Sequence, residues 1–210
     1  MIQDTRAAVW KTYACWATGV GVVFFAVYPA CNWVTAQRSP DALHVLYSAE
    51  ELKTPLIPQF IWAYLSMYVL FALPPFFLDV PALRRLGKRL IVGTLIAGAV
   101  FLLFPSRLGF TRIVPGNPLY AAIFSRMFAV DLPFNNMPSL HVVFSALITG
   151  ALARSRHWLR WPAGVWLALI CASTLLVHQH HVADIAAGLL LAWALQKVRF
   201  GRFTKEKTAC

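Results

Sequence analysis

The chain has 210 residues, 59% of them hydrophobic and only 13% charged, with 19 Lys and Arg against 8 Asp and Glu for a net charge of +11. Such a composition lies outside the range of a soluble domain and fits a protein built for a bilayer. The positive charges form neither a stripe nor an aromatic-spaced patch, so they do not point to nucleic acid.

In chain order, the apolar residues gather in six runs, near 13–34, 60–80, 90–104, 139–153, 158–177 and 183–198. They predict an all-α fold: a single domain over 1–210, a polytopic membrane bundle of six transmembrane helices. The first run is of full span length and lacks a small-x-small cleavage site, so it reads as a span and not a removed leader. Between the first two runs, 35–59 carries Asp41, Glu50, Glu51, Lys53, Pro55 and Pro58 with Leu43, Val45, Leu46 and Tyr47 interspersed. That amphipathic spacing predicts an interfacial helix capping a site, with a plain loop as the other option. Pro74-Pro75 should break the second run, because each proline removes an amide donor. The third, fourth and sixth runs are shorter than the roughly 20 residues a helix needs to cross the hydrocarbon core. Snorkelling Lys and Arg at one end, or a wet cavity sunk from the other, would account for that. Cys15, Cys31, Cys171 and Cys210 show no C-x-x-C spacing and read as small packing residues.

Orientation follows from the basic residues in the connections. Arg84, Arg85, Lys88 and Arg89 precede the third run, Arg154, Arg156 and Arg160 separate the fourth and fifth, and Lys197, Arg199, Arg202, Lys205 and Lys207 fill the tail. With six spans all three groups share one side with Arg6 and Lys11. Both termini are therefore expected in the cytoplasm of an integral membrane protein set in the bacterial inner membrane. The segments 35–59, 105–138 and 178–182 then face outward.

Two polar islands lie in those outward segments: Asn135-Asn136-Met137-Pro138-Ser139-Leu140-His141 and His178-Gln179-His180-His181-Val182-Ala183-Asp184. Ionisable groups beside apolar spans are costly and are functional candidates by default. Pro138 suits a first helical turn capped by Asn135 or Asn136, which would aim the amides of Ser139, Leu140 and His141, with the Ser139 hydroxyl, at an anion. His180 and Asp184, four apart, would share one helix face, the carboxylate fixing the ring tautomer so that the other nitrogen can attack. A merely structural His–Asp pair competes with this reading. Zinc held by His178, His180, His181 and Asp184 also competes, although adjacent His180 and His181 point roughly 100° apart on a helix. Fixed positive charge around a phosphoryl group is expected from Arg112 first, Arg107 next and Arg126 last. His44 and His157 have no evident partners and are given no role.

Together these residues resemble the type 2 phosphatidic acid phosphatase superfamily, whose motifs are Lys-x6-Arg-Pro, Pro-Ser-Gly-His and Ser-Arg-x5-His-x3-Asp. Pro138-Ser139-Leu140-His141 matches the second with Leu140 in place of glycine, and Ser173, His180 and Asp184 fall in register with the third, where Thr174 replaces arginine. Arg112 stands at the arginine of a degenerate first motif, with Pro105 at its lysine and Ile113 at its proline. Leu140, the Gln179-His180-His181-x-x-Asp184 pattern and Tyr64-Leu65-Ser66-x-Tyr68 resemble the inositolphosphotransferase branch, which contains inositol phosphorylceramide synthase. The resemblance implies a metal-independent, cofactor-free phosphatase of lipid or polyprenyl phosphates. In it His180 becomes a phosphohistidine, Asp184 orients it, His141 protonates the leaving group, and Arg112, Arg107, Ser139 and Ser173 hold the phosphate. Transfer of the same group to an alcohol is the alternative, and a non-enzymatic membrane protein or a metal transporter the second. Substrate, acceptor and oligomeric state are not legible in the sequence.

Overall fold

The computed structural model describes residues 5–198; Arg199, Arg202, Lys205, Lys207 and Cys210, invoked above, lie outside them. The described residues are helical, with no strand beyond two isolated bridges, His44 to Ser106 and Arg107 to Phe134. The helices are α1 (Arg6–Ala36), α2 (Ile61–Leu65), α3 (Met67–Ala72), α4 (Pro74–Phe77), α5 (Val80–Leu103), α6 (Pro118–Val130), α7 (Leu140–Ser155), α8 (Arg160–Leu176) and α9 (Val182–Lys197).

Their ends sit where the chain supplies caps. The Thr5 hydroxyl accepts from Ala8 N, the Asp79 carboxylate from Ala82 N, and the Asn117 side chain from Leu119 N with Pro118 at the first helical position. The second apolar run is cut into α2, α3 and α4 around Ser66 and Leu73, in keeping with the Pro74-Pro75 step. Proline at 75 cannot donate to the carbonyl four residues back, and the Tyr13 hydroxyl donates to that Phe71 oxygen instead, at 2.7 Å. α1 is thereby tied to α3.

Three helices are long and apolar enough to cross a membrane: α1, α5, and α8 with the 3₁₀ turn before it, His157–Leu176. α5 begins ten residues before its apolar run, so Arg84, Arg85, Lys88 and Arg89 lie in its first turns and not in a connection as the sequence suggested. The polar start of a helix still supplies backbone bonds to its apolar continuation, so no loop is needed there. The segment 35–59 contains no α-helix, only 3₁₀ turns at Pro40–Ala42, Glu51–Lys53 and Pro58–Phe60, which corrects the interfacial-helix expectation. Pro40, Pro55 and Pro58 remove amide donors at the two ends of the segment, where the 3₁₀ turns begin or stop.

α7 is the central helix. Val142, Val143, Phe144, Ser145, Ala146, Leu147, Ile148 and Thr149 are all buried, as expected of a helix apolar around its whole circumference. α5, α8, α9 and α3 surround it. α1 packs along α5, whose Gly87 and Gly98 lie under Trp16 and Val27. The two ends of the bundle differ. At one, Arg89 donates to the carbonyls of Leu195 and Gln196 at 3.0 Å each, and Arg154 reaches the Gln196 side chain at 2.7 Å. At the other, the N-termini of α7 and α9 meet where Ser139 N donates to Asp184 O at 3.1 Å. Both polar islands therefore gather at the end opposite this basic cluster.

Candidate active site

α9 is capped by its own first turn. Asp184 Oδ2 accepts from His181 N at 2.8 Å, and Asp184 N donates to His181 O at 3.1 Å. His180 precedes this cap and is not helical, so it and Asp184 do not meet by sharing a helix face. The carboxylate instead turns back to cap the helix and comes within 3.6 Å of His180 Nδ1. Asp184 is 1% exposed, and among the described residues His180 Nδ1 has no hydrogen-bond partner. The backbone of Gln179 and His180 is held by two bonds of 3.0 Å to the main-chain carbonyl of Thr174, whose hydroxyl donates to Cys171 O at 2.8 Å within its own helix.

His141 lies in the first turn of α7. Its ring stacks on Tyr64 with centroids 4.2 Å apart, its Nδ1 is 3.4 Å from the Tyr64 hydroxyl, and its Nε2 is buried without a protein partner. The His141 and His180 rings are 6.1 Å apart and line one cavity of about 930 Å³. Ser139, not an asparagine, caps α7: its hydroxyl accepts from Val142 N, and Pro138 precedes the cap instead of occupying the first turn. Asn135 is committed elsewhere, accepting from Thr35 Oγ1 at 2.9 Å and donating to Asn32 at 3.0 Å. Its positive φ of 57° suits an asparagine.

The remaining expected phosphate ligands are distributed unequally. The Ser173 hydroxyl donates to Ile170 O, 2.7 Å away on its own helix, so its one proton is used and it has none to give an anion. Arg107 is exposed and absent from the cavity wall. Arg112 is half-buried behind α6, its guanidinium donating to Phe128 O at 3.2 Å and lying 5.0 Å over the Phe128 ring, with Nε unpaired. Burial lowers this guanidinium from the usual arginine range and the nearby Asp131 opposes that shift. Arg126, ranked last from sequence, is the arginine on the cavity rim. The three neighbouring imidazoles diverge: His178 Nε2 meets Thr54 O at 2.9 Å, and His181 is held between Glu51 and Gly109 N. Among the described residues no three His, Cys, Asp or Glu side chains converge.

Sequence reasoning missed Asp131 and Glu51. Asp131 lines the cavity beside His180 and accepts from the Tyr28 hydroxyl; burial raises its carboxyl above the ordinary range, and Tyr28, His180 and Arg112 act against that. The available signal was that it is the only acid in 105–138. Glu51 Oε1 accepts from His181 Nδ1 at 2.9 Å and from Val182 N at 2.8 Å, pinning the 35–59 segment across the second island. Phe110 stacks between His178 and His181 at 4.1 and 4.6 Å, and Tyr47 covers the other face of His181 at 4.5 Å. Since Nε2 of His181 accepts from Gly109 N, Nδ1 carries its proton. Removing the acceptor in Glu51→Ala leaves two donors unpaired and should cost the covering segment about 1–3 kcal/mol, read as faster amide exchange over 178–182. Burial also holds the His181 pKa below the ordinary imidazole value. The unfolded segment then binds more protons than the folded one, so the protection of these amides, taken relative to the acid-slowed intrinsic exchange rate, should weaken as pH falls below about 6.5 and not as it rises.

The apolar helical bundle is that of a membrane-associated protein, with two imidazoles lining one cavity and a buried carboxylate beside them. The family model of the PAP2 superfamily matches residues 39–198, and the chain belongs to that superfamily. Membership carries phosphatase-type activity, and the three long apolar helices carry the membrane association. No curated protein and no solved structure matches the chain significantly.

Proposed function

We propose that the protein is a lipid-phosphate phosphatase working through a phosphohistidine at His180. The observation that carries this reading is that His141 and His180 face one cavity 6.1 Å apart while Asp184 stands behind His180 Nδ1. With Nδ1 turned to the carboxylate, Nε2 is the nitrogen left to attack phosphorus. Contact of 3.6 Å is long for a hydrogen bond, and such contacts tighten when substrate arrives. The substrate oxygen leaves as His141 gives it a proton; water then gives a proton back to His141 as it attacks the phosphorus, breaking the P–N bond to return His180 and release phosphate. Charge on the equatorial oxygens is met by Arg126 at the rim, Arg112 behind α6, and the Ser139 hydroxyl, whose proton its capping role leaves free. Arg107 and Ser173 drop to outer or structural roles.

Six spans, with α2–α4, α7 and α9 completing the crossing, put the basic cluster in the cytoplasm and the site on the periplasmic or lumenal side. A bacterial inner membrane with cytoplasmic termini fits this arrangement. Transfer to an alcohol on a lipid or polyol, as in the inositolphosphotransferase branch, is the second reading. Asp131 favours it, because a carboxylate repels phosphate but accepts readily from a hydroxyl. Purified protein in detergent, in excess chelator, given lipid phosphates with and without candidate alcohols, separates the two. Free phosphate is expected; new phospholipid in its place would favour transfer, and activity returned only by zinc would overturn the metal-independent mechanism.

A further inference from the structure

The cavity extends far beyond the two histidines. Its polar lining is concentrated at the head, in Asn32, Asp131, Asn135, His141 and His180 with the Tyr28 and Tyr64 hydroxyls beside them. Below that the wall is apolar, formed by one face of α1 (Tyr13, Trp16, Val20, Phe24) against residues such as Phe71 and Leu86. From Asn32 to Tyr13 is nineteen residues of α1, about 28 Å at the helical rise, close to the thickness of a bilayer's hydrocarbon core. The lower end is shut by the Tyr13 to Phe71 hydrogen bond, with Trp10 set edge-on to Phe76 at 5.2 Å. Water in this lower part would find few hydrogen-bond partners, and interiors do not leave such volumes empty.

We propose that this lower part of the cavity takes one hydrocarbon chain of the lipid phosphate, drawn into the bundle between α1 and α3 with its phosphate at the histidines. The inference rests on the lipid-phosphate reading above and adds a limit to chain length. Leaving lipid for the slot gains a chain no hydrophobic energy, so preference among chains comes from fit against the walls and the closed floor. Gly21 gives access to that fit. It lines the cavity about 16 Å below Asn32 along α1, and a Cβ built there meets nothing within 4 Å. A side chain at 21 would therefore start into open space on the cavity wall, and a large one would occupy part of the slot.

The test compares octyl phosphate with hexadecyl phosphate in wild type, Gly21→Phe and Gly164→Phe. Gly164 is on α8, also has open space at its Cβ, and is not in this cavity wall. Gly21→Phe should lower turnover of the long chain relative to the short one by roughly tenfold, as overpacking a filled site does. Gly164→Phe should leave that ratio where wild type has it. An unaltered ratio in Gly21→Phe, or the same shift in Gly164→Phe, overturns the slot. A readout without turnover keeps the slot separate from the chemistry: hexadecyl phosphate with a photoreactive diazirine at the chain end, added to His180→Ala. Labelling should fall on Trp16 and Leu86 and leave them in Gly21→Phe. Labelling of the outward Leu103 or Trp161 would instead place the chain in the surrounding lipid. If neither alkyl phosphate is hydrolysed by wild type yet the Trp16 labelling holds, the phosphatase reading fails and the slot stands.

Discussion

His180→Ala should form no covalent phospho-enzyme and retain only background turnover, because the other imidazole beside Asp184, His181, has both ring nitrogens engaged by Glu51 and Gly109 N. His141→Ala should still be phosphorylated, but slowly, since it loses only the proton for the departing alkoxide. General acid assistance is worth roughly 10²–10⁴-fold. A substrate whose leaving group needs no proton, such as p-nitrophenyl phosphate, should recover part of that loss in His141→Ala and none in His180→Ala. The cavity volume of about 930 Å³ leaves room for such a ring, and a wild-type signal is the control for its entry. Asp184→Asn should side with His180→Ala, because an amide in that place favours the other tautomer and leaves Nε2 protonated. Phosphohistidine persisting in His180→Ala, or equal rescue of both histidine variants, would reassign the roles.

The second large effect is mechanical. A Cβ at Gly188 would stand 2.9 Å from Ser139 O and 3.1 Å from the Val142 side chain, too close for either helix to stay in place. Gly188→Val should push α9 away from α7 and break the Ser139 N to Asp184 O bond that joins the two halves of the site. A cost of about 1–3 kcal/mol is expected for such overpacking, read as a lower melting temperature in detergent. Activity should fall further than stability, since the displacement also separates His141 from His180. Gly164→Val, which meets open space, is the control. If Gly188→Val melts and turns over like wild type, the close approach of α7 to α9 does not hold the site.

Much of this arrangement was legible in the chain, and the exceptions share a cause. Proline and apolar runs act over a few positions, so the broken second run and the closeness of His180 to Asp184 could be read directly. The geometry behind that adjacency could not: a helix face was expected, and a capping box does the work. The sequence reading spread the phosphate ligands over Arg107, Arg112, Ser139 and Ser173, because spacing names residue types and says nothing of where side chains point. Ser173 shows the limit most clearly, as its hydroxyl is satisfied within its own helix. Asp131 pairs with Tyr28 across 103 positions and Glu51 with His181 across 130, separations at which no local pattern survives.

The sheathing of α7 has a consequence for the lipid surroundings. Sixteen residues make a helix of about 24 Å, short of the roughly 30 Å hydrocarbon core. A helix bathed in lipid would feel that mismatch and tilt or thin the bilayer around it. α7 meets neighbouring helices instead, so its length is free to follow the depth of the histidines. Adaptation to thick or thin membranes then falls to α1, whose outer face carries Val22, Phe25 and Trp33 into the surroundings. α1 can lean only about its site end, where Asn32 and Thr35 are bonded to Asn135.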